Sequence, residues 1–211
     1  MTDSGAGDAN RRSDLGTLVA HLAELKRIPR TGWLDRGLPS NEAESVADHS
    51  LLAALIAWLT AMDDPDLDAD HVLKLALVHD LAEAIFGDLP PYDRAEVPTD
   101  PGERDAFFRV RHLRTPENAA AKRAAESDAA ATLLDLMPET ARAEFSSLWD
   151  EYEARETSES RFVKQVDRLE AFLQARIYAQ DHPDLPLDGF TDMAEKEIHH
   201  PALTALRDEV E

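Results

Sequence analysis

A histidine and an aspartate stand side by side at His79-Asp80, in the middle of the apolar run Val72 to Phe86, with two further acids at Glu83 and Asp88. Apolar residues cover nearly the whole circumference of a helix drawn over this run, so it reads as a mostly buried helix, about 69–86. A buried carboxylate without a partner is costly: it neutralises, finds a counter-charge or binds a metal. Two more residues of ligand type lie in helical stretches. His49 falls in Glu44-Ser45-Val46-Ala47-Asp48-His49-Ser50, early in a helix expected over about 42–62. Asp167 has Val163, Val166 and Glu170 at helical-neighbour spacing, which puts it on or beside the buried face of a helix expected over about 158–180. Alone, His49 reads more readily as a hydrogen-bonded core histidine, and Glu83 is open to reading as a salt-bridged helix residue. Together, three separate helices each direct a metal-type ligand toward the core.

Two imidazoles and two carboxylates suit one divalent transition metal, such as manganese, cobalt, iron or zinc, better than calcium or magnesium. Four protein ligands leave positions for water and substrate. Such an ion lowers the pKa of water and polarises a phosphoryl oxygen, which is hydrolytic chemistry. The chain has no cysteine, which excludes disulfides, thiolate nucleophiles and cysteine-ligated metal.

The elements that must position these groups are helical. Residues 1–13 are small, polar and charged and are expected to be a disordered tail; residues 14–211 form one domain. Asp14 is expected to cap a first helix carrying Leu15, Leu18, Val19, Leu22 and Leu25 on one face and ending before Pro29. A glycine- and proline-bent loop follows over 30–40. The second helix carries Leu51, Leu52, Leu55, Ile56, Trp58, Leu59 and Met62 as core. Asp88-Leu89-Pro90-Pro91 stops the third, and Pro98 and Pro101 keep the next stretch irregular. Helices are expected over 117–136, over 139–155 with Pro138 in its first turn, over 158–180, and in one or two short pieces after Pro186. No period-2 strand, internal repeat or glycine-rich phosphate loop is found, so the fold class is all-α.

Lys+Arg 22 against Asp+Glu 43 gives a net charge of −21. That argues against a nucleic acid polymer or an anionic membrane surface as the main partner, while a small anionic substrate needs only a metal or a few arginines. No apolar run reaches membrane-spanning length and the N-terminus is unlike a secretory signal, so a cytoplasmic protein is expected.

The order His49, His79-Asp80, Asp167 resembles the HD-domain metal-dependent phosphohydrolases. Five segments bring the likeness closer: Arg30-Thr31-Gly32-Trp33, Glu44 to His49, Leu77 to Glu83, Gly87-Asp88-Leu89-Pro90 and Phe162 to Asp167 look like the HD-domain 5′-deoxynucleotidases. The resemblance implies a single-domain HD-type helical bundle in which His49, His79, Asp80 and Asp167 hold the metal. It makes Glu83 the catalytic carboxylate that orients or deprotonates the attacking water, and Asp88 a second acidic site residue on the sugar-hydroxyl side. Arg30 is implied to bind phosphate, and Trp33 to pack against the deoxyribose and disfavour a 2′-hydroxyl. Two residues separate Arg30 from Trp33, whereas some members have the pair adjacent. Arg36 and Lys164 are candidates for added positive potential, with surface or supporting ion pairs as the alternative. His21, His71, His112, His182, His199 and His200 lack motif partners and receive no role.

The expected activity is metal-dependent hydrolysis of deoxyribonucleoside 5′-monophosphates to deoxynucleoside and phosphate, by a homodimer. Two rivals remain at this stage: hydrolysis of another nucleotide phosphoester, such as a cyclic nucleotide or an alarmone, and a non-catalytic nucleotide or metal sensor.

Overall fold

The computed structural model describes residues 4–210, with side chains from residue 14 onward. The tail expected over residues 1–13 falls outside the residues described with side chains. The described regular structure is helical: α1 (Ser4–Glu24), α2 (Thr31–Asp35), α3 (Val46–Ala61), α4 (Ala69–Val78), α5 (Glu83–Phe86), α6 (Pro101–Phe108), α7 (Pro116–Leu136), α8 (Glu139–Ala154), α9 (Ser158–Asp181), α10 (Asp188–Glu197) and α11 (Pro201–Asp208). The all-α expectation holds, and one isolated antiparallel bridge joins Pro29 to Ser45. α9 runs through the centre and packs against α3, α4, α8, α10 and α11. Its buried residues Phe162, Val163, Val166, Leu169 and Phe172 join those of α4 and α8 in one core.

Side-chain oxygens start the helices that matter most for the site. Ser45 and Asp48 form a reciprocal capping box at α3, Asp68 accepts from the His71 amide at α4, and Thr157 accepts from the Ser160 amide at α9. Asp14 does not cap α1, because that helix begins at Ser4 and carries Asp14 in its interior. Pro138 occupies the N-cap of α8 rather than its first turn. Two α-helices were unexpected, besides a single 3-10 turn over Arg94–Glu96. The short α2 lies inside the loop 30–40, and α6 forms where an irregular stretch was expected, because Asp100 caps it and Pro101 fits its first turn, where no amide hydrogen is needed.

The helix expected over 69–86 is broken. α4 stops at Val78, and past His79 the backbone bonds shorten to three-residue turns, Leu81 N–H to Val78 at 3.2 Å, Glu83 N–H to Asp80 at 3.0 Å and Ala84 N–H to Leu81 at 3.1 Å. The imidazole drives part of this change, because His79 Nδ1 bonds the Ala76 carbonyl at 2.7 Å. A side chain thus occupies an acceptor near the end of the ladder.

α3 also turns a different face inward from the one expected. Ile56 is buried as expected, with Ala53, Ala54, Ala57 and Ala61, whereas Leu51, Leu52, Leu55, Leu59 and Met62 are exposed, Met62 to 61%. In a helix apolar all round, hydrophobicity alone cannot choose the face. His49 and the small alanines choose it, by letting α3 approach α4 and α9 closely.

Candidate metal centre

His49, fully buried, faces inward from the first turns of α3, and His79 and Asp80 stand at the α4–α5 break. Asp167 comes from the middle of α9. His79 Nε2 lies 3.3 Å from His49 Nε2 and 3.1 Å from Asp80 Oδ2. His49 Nε2 lies 3.3 Å from Asp167 Oδ1 and 3.6 Å from Asp80 Oδ2. His49, His79 and Asp167 thus bring one donor atom each within 4.8 Å of the others, and Asp80 flanks the two histidines.

The donors fit a metal. Ligand bonds of about 2.0–2.2 Å place neighbouring donor atoms about 3 Å apart, close to the 3.1–3.3 Å that separates His79 from Asp80 and His49 from both His79 and Asp167. The ring nitrogens on the far side are also correctly engaged. A carbonyl only accepts, so His79 Nδ1 must donate its hydrogen to Ala76 and leave the Nε2 lone pair facing the cluster. His49 Nδ1 donates to Glu170 Oε2, which turns its Nε2 toward the cluster, where a metal would take the place of the Nε2 proton. The sequence pattern left Glu170 without a role, yet it is as deeply buried as His49. A charged residue one turn beyond Asp167, on the inward face of an apolar stripe, was the signal for it.

Electrostatics separates the carboxylates. Burial works against ionising Asp167, but Lys164, at 2.6 Å, and His49 overcome it and hold its pKa well below the ordinary value. Asp80 is likewise lowered against burial, by His79, Arg30 and His49. Glu83 goes the other way: burial first, then the fields of Asp80 and Asp88, raise its pKa well above the usual carboxylate range. Its Oε2 is buried with no hydrogen-bond partner among the described residues. Three neighbouring acids are thus divided into two donors held in the charged form and one group whose affinity for a proton is raised.

These groups floor a cavity of about 560 Å³. Arg30 lines it and lies 3.4 Å from Asp80 Oδ2. Burial opposes its charge, but Asp88, Asp80, Glu83 and Asp167 raise its pKa overall, so it remains a cation. Its backbone is pinned by Arg30 N–H to the Glu44 carbonyl at 2.9 Å. Asp88 follows Gly87, whose φ of 83° suits a residue without a Cβ. Its carboxylate accepts from the Thr31 amide, and its carbonyl accepts from Thr31 Oγ1 at 2.9 Å, so Arg30 and Asp88 are stitched side by side.

Trp33 lines the same cavity from within its wall and is only 2% exposed. Its ring stacks on Phe190 at 4.5 Å and meets Tyr178 edge-on at 5.1 Å, while its indole N–H donates to Glu44 Oε1 at 2.8 Å. Arg36 is packed over the rings of Phe108 and Phe190 and donates to the Gly32 and Pro186 carbonyls, so its positive charge holds the wall together. Lys164 is engaged by Asp167.

Fold and site together define a helical metal-dependent hydrolase of the HD type. The HD domain family matches residues 22–204, and the chain belongs to that family. It is 35% identical to the mouse protein named 5′-deoxynucleotidase HDDC2, over 100% of this chain and 91% of the mouse protein. It is 32% identical to the fission yeast 5′-deoxynucleotidase hdd1, over 85% of this chain and 80% of the yeast protein. Among solved structures, a conserved hypothetical protein from Pyrococcus furiosus superposes with a TM-score of 0.65 at 30% identity, covering 92% of this chain and 97% of that one. A predicted metal-dependent phosphohydrolase from Magnetospirillum magnetotacticum gives 0.60 at 28% identity, covering 95% and 90%.

Proposed function

We propose that this chain hydrolyses deoxyribonucleoside 5′-monophosphates to deoxynucleoside and phosphate. The observation that carries the reading is the convergence of His49, His79, Asp80 and Asp167 beside a buried arginine and a buried, unpartnered carboxyl. The names of its full-length relatives supply the substrate class. A divalent transition metal, of the manganese, cobalt, iron or zinc kind, supplies Lewis-acid polarisation of the phosphoryl oxygens and a more acidic water when bound there.

The chain's own residues do the rest. Arg30 exchanges its contact with Asp80 for the substrate phosphate and stabilises the charge that builds on its equatorial oxygens. Glu83 takes the proton of the attacking water as the new oxygen–phosphorus bond forms. Burial raises its affinity for that proton, which it passes to the 5′-oxygen as the ester bond breaks. Asp88, tied to Thr31, presents its remaining oxygen to the sugar hydroxyl edge, and Trp33 closes the other side. A binding-only sensor has no use for Glu83 in this place. The deciding experiment is phosphate release over a panel of deoxy-, ribo- and cyclic nucleotides with added manganese, cobalt or zinc; turnover confined to cyclic nucleotides would replace this reading.

We also infer a homodimer, for which the exposed apolar face of α3, Leu51, Leu55, Leu59 and Met62, is the support. A face of that composition is suited to burial against a second copy. Leu55→Lys should yield monomers in analytical ultracentrifugation, and a wild type that sediments as a monomer would remove the inference.

A further inference from the structure

The cavity reverses the charge of the chain around it. Nine of the 22 lysines and arginines line it, but only six of the 43 aspartates and glutamates do. Three of those cations are accounted for by the centre or the wall: Arg30 by Asp80 and the phosphate, Lys164 by Asp167, Arg36 by its two rings. Lys122 is paired with Glu126. A separate group lies beyond Asp167. Arg168 follows it on α9 and so leaves the helix about 100° around the axis from the metal donor. Arg111, from the segment after α6, shares the carboxylate of Glu197 with Arg168. Two guanidinium groups on one carboxylate leave a positive charge over.

Arg155 adds another. It makes no ion pair among the described residues, and it ends α8 in the left-handed region at φ 56°, ψ 35°. A non-glycine residue is strained there, and such outliers gather at functional sites. Burial lowers the pKa of Arg168; Asp167 counters that in part, while Arg111 and Arg155 add their repulsion. All three arginines line the same cavity as Arg30. A monophosphate held by Arg30 and a divalent metal is already matched in charge, so this second pole has no partner in the reaction proposed above.

We propose that Arg111, Arg155 and Arg168 form a second anion subsite in the substrate cavity, which takes the second phosphate of a nucleotide phosphorylated at two places. The inference rests on the nucleotide reading of the metal centre. Guanidinium forks suit a phosphate better than a base edge or a sugar, because each offers parallel donors to two oxygens. In a chain of net charge −21 such a pole also draws the ligand with two phosphates in preference to less charged anions.

The test is equilibrium titration of the metal-loaded protein with three ligands: a deoxynucleoside 5′-monophosphate, its 3′,5′-bisphosphate and its 5′-diphosphate. One of the two doubly phosphorylated ligands should bind about tenfold or more tightly than the monophosphate, the scale of one added charge-assisted hydrogen bond. Which one gains tells where the second phosphate sits. Arg155→Gln and Arg168→Gln should each remove much of that gain. Arg155 is exposed, and Arg111 still satisfies Glu197 in the second variant, so both should fold. Equal affinity for all three ligands, or an equal loss for all three in the variants, overturns the proposal and leaves the arginines as a general attractor of anions. Monophosphate turnover without any gain from the second phosphate sinks this inference alone. An arginine-dependent gain in a protein that hydrolyses no monophosphate sinks the proposed reaction instead.

Discussion

The floor and the wall of the cavity are built by different means. On the floor, the donors come from α3, the α4–α5 break and α9, and the distal nitrogen of each histidine is held by a buried acceptor, Ala76 or Glu170. The core that packs these helices also sets the distances between donors. The wall is built by the short α2 with the residue before it and by the turn after α5, and there Arg30, Trp33 and Asp88 are held by contacts to Glu44, Thr31 and Phe190. Loss of a donor on the floor therefore costs the metal, whereas changes on the wall alter how the substrate is held.

The sharpest way to break that contrast is at the floor. His79→Ala or Asp80→Ala deletes a donor from a four-donor set and should abolish both metal retention and turnover, measured by elemental analysis after dialysis and by phosphate release. Full occupancy in both variants would mean that the floor is not a metal centre. Glu83→Ala should keep the metal and lose about 10²–10⁴-fold in kcat, the scale of general acid–base assistance; retention of both metal and rate would make Glu83 structural.

A smaller effect is expected from behind His49. Glu170→Ala should weaken metal affinity by about 10–100-fold, and Glu170→Gln, which can still accept from Nδ1, should recover much of it. Glu170 and Asp167, against burial and Arg30, push the His49 pKa up to about 10. A metal must displace that proton, so wild-type affinity should tighten as pH rises, by up to about tenfold per unit. Glu170→Ala lowers the His49 pKa and should flatten this dependence near neutral pH, as titration calorimetry with the metal alone would read. The smallest effect belongs to the wall. Trp33→Ala should narrow the ratio of deoxyribo- to ribonucleoside monophosphate kcat/KM by roughly tenfold through admission of the ribose form, within the range that one pocket contact controls. A wild type without deoxyribose preference would remove that role from Trp33.

The same division governs what could be read from the sequence. His49, His79, Asp80 and Asp167 were legible because an ionisable group is costly to bury in an apolar helix unless a metal or a counter-charge compensates it. The inward face of α3 was not: Leu55 and Ile56 are equally apolar, and His49 with the small alanines decides between the two faces. The α4–α5 break was hidden too, since an unbroken apolar run carries no proline or glycine there and the interruption is made by the His79 ring. The stacking of Trp33 on Phe190 joins residues far apart in the chain, and no local pattern announces it.

The break between α4 and α5 also bears on how the molecule comes apart. Helical bonds there give way to three-residue turns around the residues that would grip a metal. A ligand that binds only the folded form adds to stability by mass action, so the thermal midpoint should rise with metal concentration. Chelation should register earliest in the amide hydrogen exchange of Leu81, Glu83 and Ala84, ahead of any change in the centre of α9, because those turns have the least helix around them to keep them shut.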